Sequence, residues 1–209
     1  MTPLSEIQRA RVELASLLAS VVLFWICENL LDLKVVALVA LVLLWGLHLA
    51  RIVKRDPQSW ARWGLRPSDR AAAWRNAGLV LGIGLLALAT YRVVQGWRGL
   101  PTSSIWIFLG YPVWSAIQQF VLQGILVADL ETLGARRGWL LTIAPLAFGA
   151  AHLPDFELAA LCALAGLPWT WLFLRDRAIL PLALVHSVLG TLAFYWVLER
   201  NPLQEFGYA

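Results

Sequence analysis

The chain has 209 residues, 60% of them hydrophobic and 14% charged, with 17 Lys and Arg against 13 Asp and Glu. A soluble domain is roughly half apolar and about a quarter charged, so a mean hydropathy of +0.69 excludes a soluble globule, which must keep a polar skin, and equally a disordered chain. Cys27 and Cys162 alone cannot staple a secreted disulfide scaffold, which leaves one integral membrane domain over 1–209, an all-α multi-pass bundle.

The N-terminal apolar run after Glu13 is long and is followed by no small-x-small cleavage site, so it reads as an uncleaved first span. A spanning helix needs about 20 mostly apolar residues. Segments near 12–31, 33–53, 72–93, 103–126, 138–153, 157–174 and 178–198 fit, predicting about seven transmembrane helices, or eight. The connection 54–70 is the long polar stretch; it holds Pro57 and Pro67, and Ser68 is placed to cap the third span. Within that span Gly78 and Gly82 have the small-xxx-small spacing of a close helix contact. The fifth and sixth spans are short and separated by His152-Leu153-Pro154-Asp155.

Orientation follows from the basic residues. With the N-terminus in the cytoplasm, Arg9, Arg11, Arg51, Lys54, Arg55, Arg62, Arg66, Arg70, Arg75, Arg136, Arg137, Arg175 and Arg177 fall inside, while Lys34, Arg92, Arg98 and Arg200 fall outside. This is the positive-inside pattern, and it predicts a cytoplasmic N-terminus, an external C-terminus and a bacterial cytoplasmic membrane. The basic balance then belongs to the membrane surface and no nucleic-acid partner is expected. Trp60, Trp63, Trp74 and Trp139 near the inner boundary and Trp97, Trp106 and Trp196 near the outer one read as interfacial anchors.

Polar groups inside the bilayer are where function is sought. His48, beside Arg51, reads as an edge histidine wetted by the interface. The fourth span carries Gln118, Gln119 and Gln123, with Gln119 and Gln123 one turn apart on one face and Gln118 about 100° away. A buried amide has to find partners, either across helices or in a polar site. His152 ends the fifth span after Phe148-Gly149-Ala150-Ala151, whose small residues admit a neighbouring helix, and His186 lies inside the seventh. Three glutamines and two histidines on separate spans form a convergent candidate cluster. Counted along ideal helices, Gln118 and His152 differ in depth by roughly 10 Å.

These residues resemble those of the CAAX-protease and bacteriocin-processing (CPBP, or Abi) family of intramembrane endopeptidases. That family has a glutamate pair followed three residues later by arginine, then Phe-x-x-x-His and His-x-x-x-Asn on later helices. Phe148 to His152 reproduces the second motif; His186 supplies the third histidine, with Gly190 in the asparagine's place; Gln118, Gln119 and Gln123 stand where the glutamates and the arginine would be. Trp63-Gly64-Leu65-Arg66-Pro67 is similar to a loop of the family, and the resemblance covers about 60–200.

The resemblance implies a water-activating role at the position of Gln118, with His152, and an oxyanion-supporting role for His186, acting on membrane-adjacent peptides such as the tails of lipidated proteins. It makes His152, His186, Gln118, Gln119 and Gln123 the candidate catalytic set and a membrane-anchored peptide or protein tail the expected partner. Glutamine cannot serve as the base, whose contribution is about 10²–10⁴ in rate. Hydrolysis would then need another base, His152 itself or a carboxylate such as Asp155, Asp129 or Glu131. Asp155 reads as an outer-loop residue, and Asp129 and Glu131 as solvated charges balancing Arg136 and Arg137. Two histidines make no catalytic zinc site without a third ligand, so neither metal nor cofactor is expected. Replacing two negative charges and one positive charge with amides gives a neutral site, cheaper to bury than a broken ion cluster. Hydrolysis with altered chemistry, a pseudoprotease that binds a tail or partner helix uncut, and a small transporter or scaffold are the alternatives.

Overall fold

A computed structural model describes residues 5–205, and the described residues form helices joined by short turns. The first helix, α1 (Glu6–Asn29), opens on a capping box in which Ser5 and Gln8 satisfy each other's backbone amides. It is followed by α2 (Lys34–Arg55) and the single turn α3 (Ser59–Arg62). Next, α4 (Arg70–Val94) is capped by Asp69, whose carboxylate accepts from the amide of Ala72 at 2.9 Å, so the cap falls one residue beyond Ser68.

A long helix then runs unbroken as α5 (Ser104–Gln119), a π-helical segment (Phe120–Val127) and α6 (Ala128–Thr132). The last three major helices are α7 (Arg137–Ala150), α8 (Phe156–Asp176) and α9 (Ile179–Trp196), with a short α10 (Pro202–Glu205) behind them.

Among the described residues six helices are long and apolar enough to cross a membrane: α1, α2, α4, the composite α5–α6, α8 and α9. The expected fifth span is the 14-residue α7, which at 1.5 Å per residue is about 21 Å long, short of a hydrocarbon core of about 30 Å. The protein is thus a multi-pass helical membrane bundle. Apolar side chains such as Leu18, Val35, Ile83 and Leu86 stay exposed on α1, α2 and α4, as lipid-facing surfaces do.

Polar contacts fix how the helices run. At one end Asn76 of α4 donates to Asp176 of α8 (2.9 and 3.0 Å), and Arg177, just beyond α8, pairs with Glu131 of α6. At the other end Arg92 of α4 reaches Glu199 at 2.8 Å, and Arg200 pairs with Asp155 at the start of α8. Helices α4 and α9 are therefore parallel to each other and antiparallel to α8.

The core lies between the composite helix, α7, α8 and α9, with Leu140, Ala144, Phe173 and Leu182 almost completely enclosed. Glycine sets the closest approaches: a Cβ at Gly166 of α8 would lie 2.7 Å from Pro145 Cα, and one at Gly149 of α7 would lie 2.7 Å from the Ala159 carbonyl oxygen. The small-residue stretch before His152 therefore does admit its neighbour. Gly78 and Gly82 do not; nothing lies within 4 Å of a Cβ there, and α4 meets α9 at Gly84, against Leu189. Those two glycines sit on a different face of α4 from the one that packs.

Two further sequence expectations are corrected. Trp63 is buried, edge-on to Phe120 with centroids 5.7 Å apart, so it is a core residue and not an interfacial anchor. It enters the core because Gly64 adopts φ +76° and its carbonyl accepts from the amide of Ile179 at 2.8 Å, which docks the loop under the α8–α9 junction. Asp129 is not a solvated partner of Arg136 and Arg137. It is buried, and its carboxyl faces that of the equally buried Glu13 on α1, with Arg62 and Arg9 nearby. His48 is edge-on to Trp45 and its Nε2 lies 3.4 Å from Glu13 Oε1, so the edge histidine has a buried carboxylate beside it.

Candidate functional site

Two turns of α5 carry the polar face of the site. Pro112 leaves a carbonyl in the preceding turn without its helical donor, and Ser115 hooks this part of α5 onto α9 by donating to the Ala183 carbonyl at 2.8 Å. Below it Gln119 is fully buried and its amide nitrogen lies 3.0 Å from His186 Nδ1. An amide nitrogen only donates, so Nδ1 accepts and the imidazole proton sits on Nε2, which donates to the Tyr111 hydroxyl at 3.0 Å. Both ring nitrogens of His186 are thus used within the fold.

Aromatic rings enclose the same imidazole. Trp169 of α8 stacks on it at 4.3 Å with planes 29° apart, and Tyr111 and Phe148 meet it edge-on at 5.5 and 5.6 Å. His152 is packed against the other side of Phe148, at 5.0 Å. Its Nδ1 is 2.8 Å from the Phe148 carbonyl oxygen and donates to it, leaving Nε2 as the nitrogen with the lone pair. The two histidines share Phe148 as a wall.

Gln119 and Gln123 are both fully buried but address different helices. Gln123 donates to Thr170 Oγ1 of α8 at 3.1 Å, whereas Gln119 addresses α9. The π-helical segment begins between them, and its wider turn, closed by i to i+5 bonds, changes the phase of the helix. Gln118 is half-buried. The side-chain oxygens of Gln118, Gln119 and Gln123 are all buried without a hydrogen-bond donor, three unfilled acceptors within two turns of one helix.

The structure brings together His186 and Gln119 by hydrogen bond and His152 by a shared ring; Gln123 is tied to α8 instead, and Gln118 makes no hydrogen bond among the described residues. Of the carboxylates considered as stand-in bases, Glu131 is held by Arg177 and Asp129 by the Glu13 cluster. Asp155 accepts from Arg200 and from the amide of Leu158. The bond from Arg200 in particular holds its carboxyl below the usual range, which makes it a weaker base than a free carboxylate. Among the described residues no three His, Cys, Asp or Glu side chains gather as a metal-binding group.

Tyr111 is the site residue that sequence reasoning passed over. It precedes the glutamines in the same helix, eight residues before Gln119, two turns and about 80° away around an ideal helix. Two open cavities lie elsewhere: one of about 580 Å³ beside Asp56, Arg62 and Arg66, and one of about 190 Å³ between Arg92, Arg98, Trp196 and Glu199.

The family model described as Type II CAAX prenyl endopeptidase Rce1-like matches residues 73–192, from the first turn of α4 to the third motif on α9. That range holds every candidate site residue and leaves α1, α2 and the Trp63 loop outside. No curated protein and no solved structure matches the chain. Spans, motif order and family match agree, and the chain belongs to the CAAX-protease family of membrane proteins.

Proposed function

We propose that this protein binds membrane-adjacent peptide tails at the site between α5, α7 and α9 and does so without the glutamate-based hydrolysis of its family. The observation that carries this reading is the state of the glutamine face. Gln119 donates to His186 where a glutamate would accept, and among the described residues no free carboxylate is hydrogen-bonded to His152 or His186. Three buried amide oxygens still lack donors, and an extended peptide offers backbone N–H groups as donors. A neutral face of acceptors suits retention of a peptide better than activation of water, because an amide takes up no proton near neutral pH.

A second reading is favoured by one specific observation. His152 Nε2 keeps its lone pair because Nδ1 donates to the Phe148 carbonyl, the arrangement a histidine base uses. On this reading His152 activates water in place of the glutamate and hydrolysis is slow, since His186 has no nitrogen left to support an oxyanion.

The basic residues orient the chain: those at the Arg177 end outnumber those at the Arg200 end thirteen to four. By the positive-inside rule the N-terminus is cytoplasmic and the C-terminus external, in what we take to be a bacterial cytoplasmic membrane.

The test uses proteoliposomes holding the full chain, His152→Ala, or the double change Gln118→Glu with Gln119→Glu, each offered fluorescent membrane-anchored tail peptides. Peptide bound but uncut by the native protein, and cut by the double variant, supports the binding reading. Native cleavage that disappears in His152→Ala establishes the second reading instead. Neither binding nor cleavage by the native chain defeats both.

A further inference from the structure

The third motif of the family ends in asparagine four residues after its histidine, and here position 190 is glycine. The space that side chain would fill is not empty. A Cβ on Gly190 would lie 3.4 Å from His186 Cδ2, the carbon bonded to Nε2, but also 3.1 Å from Tyr111 Cε1 and 3.2 Å from the Tyr111 hydroxyl oxygen. The Tyr111 hydroxyl is itself 3.0 Å from Nε2. The phenol from α5 therefore lies against the position a side chain at 190 would take and bonds the imidazole nitrogen next to it; a side chain at 190 would crowd its ring.

Hydrogen-bond direction adds the second step. The chain runs from the Gln119 amide to His186 Nδ1 and from His186 Nε2 to the Tyr111 oxygen. The tyrosine oxygen is thus an acceptor in this chain, and its own proton is not used by His186. A hydroxyl that already accepts a hydrogen bond is polarised and donates more strongly. Ser115, one turn below, points its hydroxyl at the Pro112 and Ala183 carbonyls and does not take that proton.

We propose that Tyr111 has taken over the place of the missing asparagine and that its hydroxyl is the donor this site offers to a backbone carbonyl of the bound peptide tail. The second half rests on the peptide-binding reading above; the first does not. Gln119, through His186, is a positioning residue for this hydroxyl, and Gly190 is the vacancy that admits it.

The experiment exchanges the two residues in the full chain reconstituted in detergent micelles. The variants are Tyr111→Phe, Gly190→Asn, and Gly190→Asn combined with Tyr111→Ala. Thermal unfolding, imidazole ¹⁵N shifts of labelled His186, and affinity for a fluorescent S-farnesyl-cysteine peptide with three aliphatic residues after the cysteine are read on each. Gly190→Asn alone is expected to lower the unfolding temperature, because the new side chain meets the tyrosine ring. Adding Tyr111→Ala is expected to restore much of it and to return the Nε2 signal toward that of a hydrogen-bonded nitrogen. Tyr111→Phe keeps the ring and is expected to shift the Nε2 signal and weaken the probe about tenfold, the effect of one hydrogen bond.

Native Nε2 shift and native probe affinity in Tyr111→Phe would overturn the proposal, as would a double variant no better than Gly190→Asn alone. A native chain that ignores the probe removes the peptide reading and the carbonyl-donor role with it, while the nitrogen shifts and the exchange still decide whether Tyr111 holds the asparagine's place.

Discussion

Replacing Gly166 with alanine tests the packing that places both histidines. A Cβ there would stand 2.7 Å from Pro145 Cα and 3.1 Å from Pro145 Cβ. Carbon atoms prefer about 3.5–4.0 Å, and neither a backbone carbon nor a proline ring can rotate away, so α7 and α8 have to part by about 1 Å. Overpacking of this kind costs about 1–3 kcal/mol, and the better helix propensity of alanine returns up to about 1 kcal/mol. The net loss expected is about 1–2 kcal/mol. Phe148 and Trp169 flank the contact on their antiparallel helices, with ring centroids 5.6 Å apart, so the same displacement loosens the ring stack on His186. Unfolding in mixed micelles, followed by tryptophan fluorescence, measures the loss. Gly78→Ala is the control, since nothing lies within 4 Å of a Cβ there; it should be neutral or stabilising by up to about 1 kcal/mol. A Gly166→Ala chain as stable as the native one would refute the close-packing reasoning.

A double-mutant cycle on Gln123→Leu and Thr170→Val should give a coupling of about 0.6–2 kcal/mol for their interhelical hydrogen bond, and a coupling near zero would mean the two side chains do not pair in the bilayer. Arg62→Met, which strips a cation from the buried Glu13–Asp129 carboxyls, should destabilise the chain by about 3 kcal/mol in the same unfolding assay. Gln119→Glu should move the His186 proton from Nε2 to Nδ1, because a carboxylate accepts where the amide donates, and imidazole ¹⁵N shifts report which nitrogen carries it. At low pH the Arg200 end should loosen: Arg200 holds the Asp155 carboxyl, and Arg92 the Glu199 carboxyl, below their usual range. Carboxylates lowered in the folded state stabilise it fully above their unfolded value of about 4 and lose that contribution as pH falls through the folded value. Unfolding temperature measured from about pH 5 downward should therefore drop less steeply in Asp155→Asn than in the native chain.

Hydropathy made the spans legible because a bilayer imposes its thickness on sequence directly. The ends of α2, α4, α8 and α9 fall within a few residues of where composition placed them. Charge pairing was not readable: Glu131 found Arg177 where Arg136 and Arg137 were expected. What was not legible depends on contacts between distant parts of the chain. Asp129 looks like a helix-end charge until α1 brings Glu13 against it. Trp63 has the composition of an interfacial anchor until the positive φ at Gly64 turns its loop inward. Gln119 and Gln123 share a face on an ideal helix, and only the π-helical segment between them sends one to α9 and the other to α8. Tyr111 was invisible as a site residue because its role is defined by a side chain that Gly190 lacks.

The departures from the family pattern are linked through one imidazole. A glutamate at 119 would accept from Nδ1–H and leave Nε2 as an acceptor facing position 190, where asparagine can donate. With glutamine at 119 the direction reverses: Nδ1 accepts, Nε2 donates, and the residue beyond it must accept. A hydroxyl accepts and still keeps a proton to give, so the tyrosine suits the reversed chain and the glycine gives it room. The arginine position changes with them, since a guanidinium at 123 without the two carboxylates would be a buried unpaired charge; Gln123 instead bonds Thr170. Together the substitutions leave a neutral hydrogen-bonded chain from Gln119 through His186 to a hydroxyl, while the side-chain oxygens of Gln118, Gln119 and Gln123 still lack donors. On the peptide-binding reading, those oxygens are what the N–H groups of a bound tail would satisfy.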